Sequence, residues 1–256
     1  MKKVASLRYG VIFKKAFAEP DIFKAFVTDF IGIKLKIDKV EIENEFEPTI
    51  ANVDTRFDLF AEDKKNRVIV DIQHVRYSDH YDRFLHSHCV ALLEQIASSK
   101  SYHPNLKVFT IVVLTSGDKH KVDIATTDFD PKDRNGKPLN EIPHKILYVC
   151  PKYVTDETPE PYREWLLAIQ DSLDEEVDET ACQRKEIQRV FELIAPKERF
   201  KMKDEYGMIQ QDKFEKGQLA EKPQIARNLL AKGIDPAIVA ETTGLSPAEL
   251  TTFSST

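Results

Sequence analysis

Cysteine, glycine and long apolar runs are all scarce in this chain. Three cysteines in 256 residues (Cys89, Cys150 and Cys182) stand far apart and are odd in number. That excludes a disulfide-stapled scaffold and a cysteine-rich zinc module, and it fits a reducing compartment. Eight glycines and thirteen prolines exclude collagen-like and low-complexity architectures. No stretch reaches the ~18 consecutive apolar residues that a membrane span requires. The start from Met1 to Ser6 also lacks the apolar run of a secretory signal. The expectation is a soluble, cytoplasmic, globular protein.

What is present is ample for a core: 41% of the residues are hydrophobic and 31% are charged. A net charge of −6 argues against a protein that coats nucleic acid without specificity. The charge is unevenly spread. Residues 1–40 carry nine basic and four acidic side chains, whereas residues 41–100 and 155–192 carry twelve acidic ones each. An acidic pocket beside a basic surface suits a metal-dependent enzyme on phosphate substrates. Solvated helix faces account for the 155–192 block equally well.

Apolar residues at 11–13, 16 and 17, then at 22, 23, 26, 27 and 30, recur at helical spacing. They predict two short helices parted at Glu19-Pro20, the second ended by Gly32. From Val40 the period changes to two: acidic 41, 43, 45 and 47 alternate with apolar 40, 42 and 46, as on a strand with one wet face. Residues 55–60 and 67–73 read as two more strands, and the polar 62–66 between them reads as a hairpin turn. A helix of about twenty residues is expected from about 79 to 99. A doubly buried strand at 107–115 and a shorter one at 145–149 follow, beyond a polar loop at 130–140. From Pro159 onward the pattern is helical. The fold class is therefore α/β: a mixed sheet core over 1–155 and a helical region over 156–256.

The chemistry-bearing signal lies on the hairpin. Asp58 is mid-strand with Phe57 and Leu59 on the opposite face; Asp71 lies between Val70 and Ile72, and Gln73 shares its face. Two carboxylates on adjacent strands can converge on one point. Mg²⁺ takes such a set of oxygens, with waters and substrate phosphate, and the Ile72 carbonyl offers one more. A carboxylate within a Val/Ile strand is costly unless paired or metal-bound. The same residues also fit the polar face of a half-exposed strand. His74, His80, His86, His88 and Cys89 crowd into sixteen residues. His86 and His88, two apart on a helix, point ~200° apart and cannot share one zinc ion.

Asp58 followed by Val70-Asp71-Ile72-Gln73 resembles the D…(D/E)-x-(K/Q) signature of the PD-(D/E)XK nucleases. With Phe13-Lys14, Arg56-Phe57-Asp58, Arg83, Gln95, Tyr102, Trp165 and the segment from Ile225 to Ser246, the chain is similar to the PD-(D/E)XK nuclease-family transposases. These are the Rpn-type recombination-promoting nucleases. The resemblance implies a restriction-endonuclease-like core and a divalent-metal-dependent deoxyribonuclease related to transposases. Catalysis would fall to Asp58, Asp71 and Gln73. Mg²⁺ or Mn²⁺ would be held by Asp58, Asp71 and the Ile72 carbonyl. DNA contacts would come from Lys14, Arg56, Arg83 and Gln95, and the partners would be DNA and a second copy of the chain. Two departures stand out. Gly10 occupies a position where many relatives have an acid, for which Glu45 or Glu47 are the candidate substitutes, and Gln73 replaces a common lysine.

The tail from Asp235 to Leu250 reads as helix, Gly244 turn and helix, with Ser246 as cap and Pro247 next. Its second helix offers Glu249 and threonines but no Arg, Lys, Asn or Gln, which favours an assembly appendage over a base-reading helix. Two other classes remain open: a catalytically silent relative that binds DNA or protein, and a regulatory protein working through its acidic 155–192 surface.

Overall fold

Glu19 in an extended conformation leads Pro20 into the first turn of a helix, where its missing N–H costs nothing, and Asp21 adds charge suited to that helix end. This break separates α1 (Gly10–Phe17) from α2 (Pro20–Ile31). Gly32 closes α2 at φ 78°, the left-handed conformation open to glycine, and donates its N–H to Thr28 O. The computed structural model describes residues 1–46, 55–74, 80–95, 104–178 and 182–195, together with Leu230 and Val239.

In chain order the further elements are β1 (Lys2–Lys3), β2 (Glu41–Phe46), β3 (Thr55–Glu62), β4 (Asn66–Gln73), α3 (His80–Leu93), β5 (Lys107–Leu114), β6 (Ile124–Asp128), β7 (Lys145–Val149), α4 (Tyr162–Ser172), β8 (Glu176–Val177) and α5 (Lys185–Ile194). Six strands form one sheet in the order β2-β3-β4-β5-β7-β6. β2, β3 and β4 are antiparallel neighbours, β4, β5 and β7 run parallel, and β6 returns antiparallel at the edge. This is the expected α/β mixed sheet flanked by helices. Asp63 builds the β3–β4 turn: its carboxylate accepts from Lys65 N (2.8 Å) and Asn66 N (2.9 Å). All eight residues of β4 are buried, as a central strand requires.

Two stretches depart from expectation. β6 has no counterpart among the expected strands; only Ile124 and Ala125 of its five residues are apolar, and it lies half-exposed at the sheet edge, so no alternation marks it. Glu176–Val177, within a stretch expected as helix, pairs instead with Lys2–Lys3. Glu175 at φ 62° turns the chain out of α4 into that pairing.

Residues 1–197 form one compact unit and residues 198–256 a second. In the first, α5 packs on α1 and α2, and the N-terminal segment threads between the later elements. Ala5 N donates to Ile194 O at 2.8 Å and Leu7 N to Ser172 Oγ at 3.3 Å. In the second, Leu230 and Val239 are helical. The first unit has an aromatic knot. Phe13 stacks on Phe17 at 4.2 Å, and Trp165 meets Phe17 at 5.9 Å and Phe26 at 5.2 Å. The indole N–H donates to Asp29 Oδ2 at 2.7 Å, and Asp29 also pairs with Arg184. Trp165→Phe keeps the apolar contacts and removes this charged bond, so a loss of about 1–2 kcal/mol is expected in urea unfolding followed by circular dichroism.

Candidate functional site

The β3–β4 pairing runs from Glu62↔Arg67 to Leu59↔Val70, and the next step in that register sets Asp58 opposite Asp71. There the carboxylates replace the ladder carbonyls as acceptors. Asp58 N donates to Asp71 Oδ1 at 2.8 Å, and Ile72 N donates to Asp58 Oδ2 at 3.0 Å. Each acid therefore accepts from a backbone N–H of the opposite strand, which sets Asp58 and Asp71 side by side across β3 and β4. Asp71 is 7% exposed. Burial first, and then the charge of Asp58, pushes its pKa up to about 8; the Asp58 amide and the charges of Arg83 and Lys14 pull the other way. This pair strongly favours a nearby positive charge.

A third acid lines up with them. Ile42↔Leu59 and Asn44↔Phe57 place Glu43 of β2 across from Asp58. Glu43, Asp58 and Asp71 thus occupy one row over three neighbouring strands. Glu43 has φ 55°, rare for a residue with a side chain. Its Oε1 accepts from Lys14 Nζ at 2.6 Å, and the same ammonium lies 3.6 Å from Asp58 Oδ1. The Lys14 bond and charge, followed by burial's smaller opposing push and the charge of Arg56, hold Glu43 below the usual carboxylate range.

The other expected residues divide. Arg56, two before Asp58, is exposed and bonded to Glu45 at 2.5 Å, with Glu43 at 3.6 Å. Glu45 is thereby engaged away from the pair, and Glu47 lies outside the described residues, as does Tyr102. Arg83 is an exposed residue of α3 whose charge reaches Asp71. Gln73 ends β4 on the Asp71 side, 8% exposed, and its carbonyl accepts from Thr115 N at 3.0 Å. Gln95 is not brought to the carboxylates. Its Oε1 accepts from Leu106 N at 2.7 Å and its Nε2 donates to Ala91 O at 3.1 Å. That ties the α3 end to the start of β5, the opposite end of the parallel strands from Gln73.

Among the histidines, His86 is exposed and His88 fully buried, as the helix phase required. His74 Nδ1 meets Thr115 Oγ1 at 2.9 Å, and His80 meets the buried Asp118 at 3.3 Å. Despite its burial, Asp118 stays below the usual range through bonds from the His120 amide and the Tyr81 hydroxyl. Among the described residues, no group of three or more His, Cys, Asp or Glu side chains is arranged to hold a metal ion. Asp58 and Asp71 remain as a pair of oxygen donors. No helix among the described residues is long and apolar enough to cross a membrane.

Glu43 is the residue beside the pair that the sequence did not single out. It carried a signal, its place in the acidic alternation of β2, but its register against Asp58 did not.

The model of the Rpn/YhgA-like nuclease family, C-terminal HTH domain, matches residues 220–255. No curated protein and no solved structure matches. The matched stretch includes residues 235–250, read from sequence as helix, Gly244 turn and helix, which apart from Val239 lie outside the described residues. A helix-turn-helix domain points to DNA contact, against the expectation of an assembly appendage.

Proposed function

We propose that the chain, whose residues 220–255 match the C-terminal HTH domain model of the Rpn/YhgA-like nuclease family, is a divalent-metal-dependent DNA endonuclease whose centre is Asp58 and Asp71. The carrying observation is that pair: two carboxylates facing each other across β3 and β4, one of them buried and pushed up by its neighbour's charge. The donor set is all oxygen, which suits a hard cation, and two carboxylates with solvent and phosphate are the usual protein share for Mg²⁺.

Asp58, Asp71 and the Ile72 carbonyl would hold Mg²⁺ or Mn²⁺, which supplies Lewis-acid stabilisation of the phosphoryl oxygens and a more acidic water. The protein's own contribution is positional. Gln73, on the Asp71 side, holds the attacking water by hydrogen bonds and adds no charge. Arg83 and Arg56 lie toward solvent beside the carboxylates, suited to phosphate oxygens of the incoming strand. The helix-turn-helix segment adds a second hold on DNA. The recombination-promoting role implied by the resemblance belongs to this same proposal.

A second reading has its own support: Gly10 in place of an acid and a neutral Gln73 fit a silent relative that only binds DNA. Incubation of supercoiled plasmid with Mg²⁺ or Mn²⁺ separates them. The endonuclease is expected to nick or linearise it, to stop in EDTA, and to slow about a hundredfold or more in Asp58→Asn. Salt-sensitive DNA binding with no cleavage at any metal concentration would give the case to the second reading.

A further inference from the structure

We infer that Lys14, held by Glu43, is a resident counter-ion of the Asp58–Asp71 pair that a divalent cation must displace. This rests on the metal reading of the pair and concerns how the pair is loaded.

Lys14 Nζ lies 2.6 Å from Glu43 Oε1 and 3.6 Å from Asp58 Oδ1, a bridge from one acid of the row to the next. Its side chain is 16% exposed, far less than that of an ordinary surface lysine. The helix beneath it cannot slide away: Phe13 and Phe17 on either side are fully buried and stacked on one another. Glu43 is bonded to Lys14 and lies 3.6 Å from Arg56, while Glu45, two residues on, takes the direct Arg56 bond. The ammonium therefore lies between two carboxylates of one row, with the shorter bond to the one that is not in the pair. Gln73 brings no charge of its own, so Lys14 supplies positive charge at close range to Asp58.

A lysine in this place opposes cation binding by simple electrostatics: like charges within ~4–6 Å are unfavourable. Glu43 relieves that opposition by drawing the ammonium off Asp58. Removing the two residues should then act in opposite directions, which no shared structural role would produce. Once a cation sits on Asp58, Lys14 is left on Glu43 at the edge of the site, where it can meet a phosphate of the DNA.

The test is Mn²⁺ binding to the full chain, without DNA, by isothermal titration and by the electron paramagnetic resonance of free Mn²⁺. Lys14→Met, which keeps the apolar stem, is expected to bind about tenfold tighter than the unsubstituted protein. Glu43→Gln, which frees Lys14 to close on Asp58, is expected to bind severalfold weaker. Lys14→Arg keeps the charge and should restore the original affinity. Melting temperatures in EDTA identify any variant that has failed to fold, and Lys14→Gln then replaces Lys14→Met, with the same tighter binding expected. Tighter binding in Lys14→Met also supports the inference where the unsubstituted protein binds too weakly to measure or does not cut plasmid. Equal affinity in all four proteins overturns it and leaves the metal reading standing. No Mn²⁺ binding in any of them overturns both.

Discussion

Asp71→Asn is expected to make the metal-free protein more stable at pH 8 and above, and to abolish its cleavage of DNA. The first effect follows from where the carboxyl group is. Its folded pKa is about 8 because of burial and the neighbouring Asp58 charge, whereas in the unfolded chain it returns to near 3.9. A group whose pKa is raised on folding gives stability that is fully present below the unfolded value and lost as the pH rises through the folded one. Asparagine never ionises, so the substituted protein escapes that loss. It keeps a carbonyl oxygen for the Asp58 N–H. The two proteins should unfold at similar urea concentrations near pH 4 and diverge steadily up to pH 8. The separation above that should reach several kcal/mol. Trp165, the one tryptophan of the chain and fully within the first unit, reports the transition by fluorescence. Added Mg²⁺ should reverse the order, because the unsubstituted protein gains stability by binding and the variant does not. Parallel pH profiles for the two proteins in EDTA would show that Asp71 carries no such strain. A reversal by Mg²⁺ and the loss of cleavage would place the strain and the chemistry in the same carboxylate.

The legible part of this site is the part fixed by short-range pattern. Phe57 and Leu59 flank Asp58, and Val70 and Ile72 flank Asp71, so alternation alone set both acids on one face. The tight turn at Asp63 then fixed the register that brings them opposite each other. Glu43 was visible only as one of four alternating acids. Its alignment depends on how β2 meets β3, which no tight turn dictates, and on a backbone angle that its residue type does not announce. Gln95 was legible as a polar residue at a helix end, but helix length decided that it caps the start of β5 rather than facing the carboxylates. The packing of α5 on α1 and α2 and the pairing of Lys2–Lys3 with Glu176–Val177 join residues more than 150 positions apart, a distance at which local periodicity carries no information. The row of acids is thus half a local feature and half a product of long-range folding.

His88 should make the fold sensitive to acid well above the pH at which carboxylates protonate. The ring is fully buried, with Nδ1 2.9 Å from Thr110 Oγ1, Phe129 stacked on it at 5.1 Å, and His144 6.4 Å away. Burial, and then the nearby His144, pushes its pKa down to about 3. In the unfolded chain it protonates near 6.5. A group whose pKa is lowered on folding gives stability that is present above the unfolded value and lost as the pH falls toward the folded one. From pH 7 to pH 4.5 the unfolded state takes up a proton at this ring that the folded state does not, which costs about 3 kcal/mol. This slope is opposite in sign to that of Asp71 over the same range, so each must be read against its own variant. His88→Leu alone strands the buried Thr110 hydroxyl and should cost about 1–3 kcal/mol at every pH. His88→Leu/Thr110→Val removes both partners together, restores most of that loss, and should flatten the acid limb by about 3 kcal/mol in urea titrations at pH 7, 6, 5 and 4.5. If the double variant loses stability toward pH 4.5 as steeply as the unsubstituted chain, the acid sensitivity belongs to other groups and the His88 ring has no part in it.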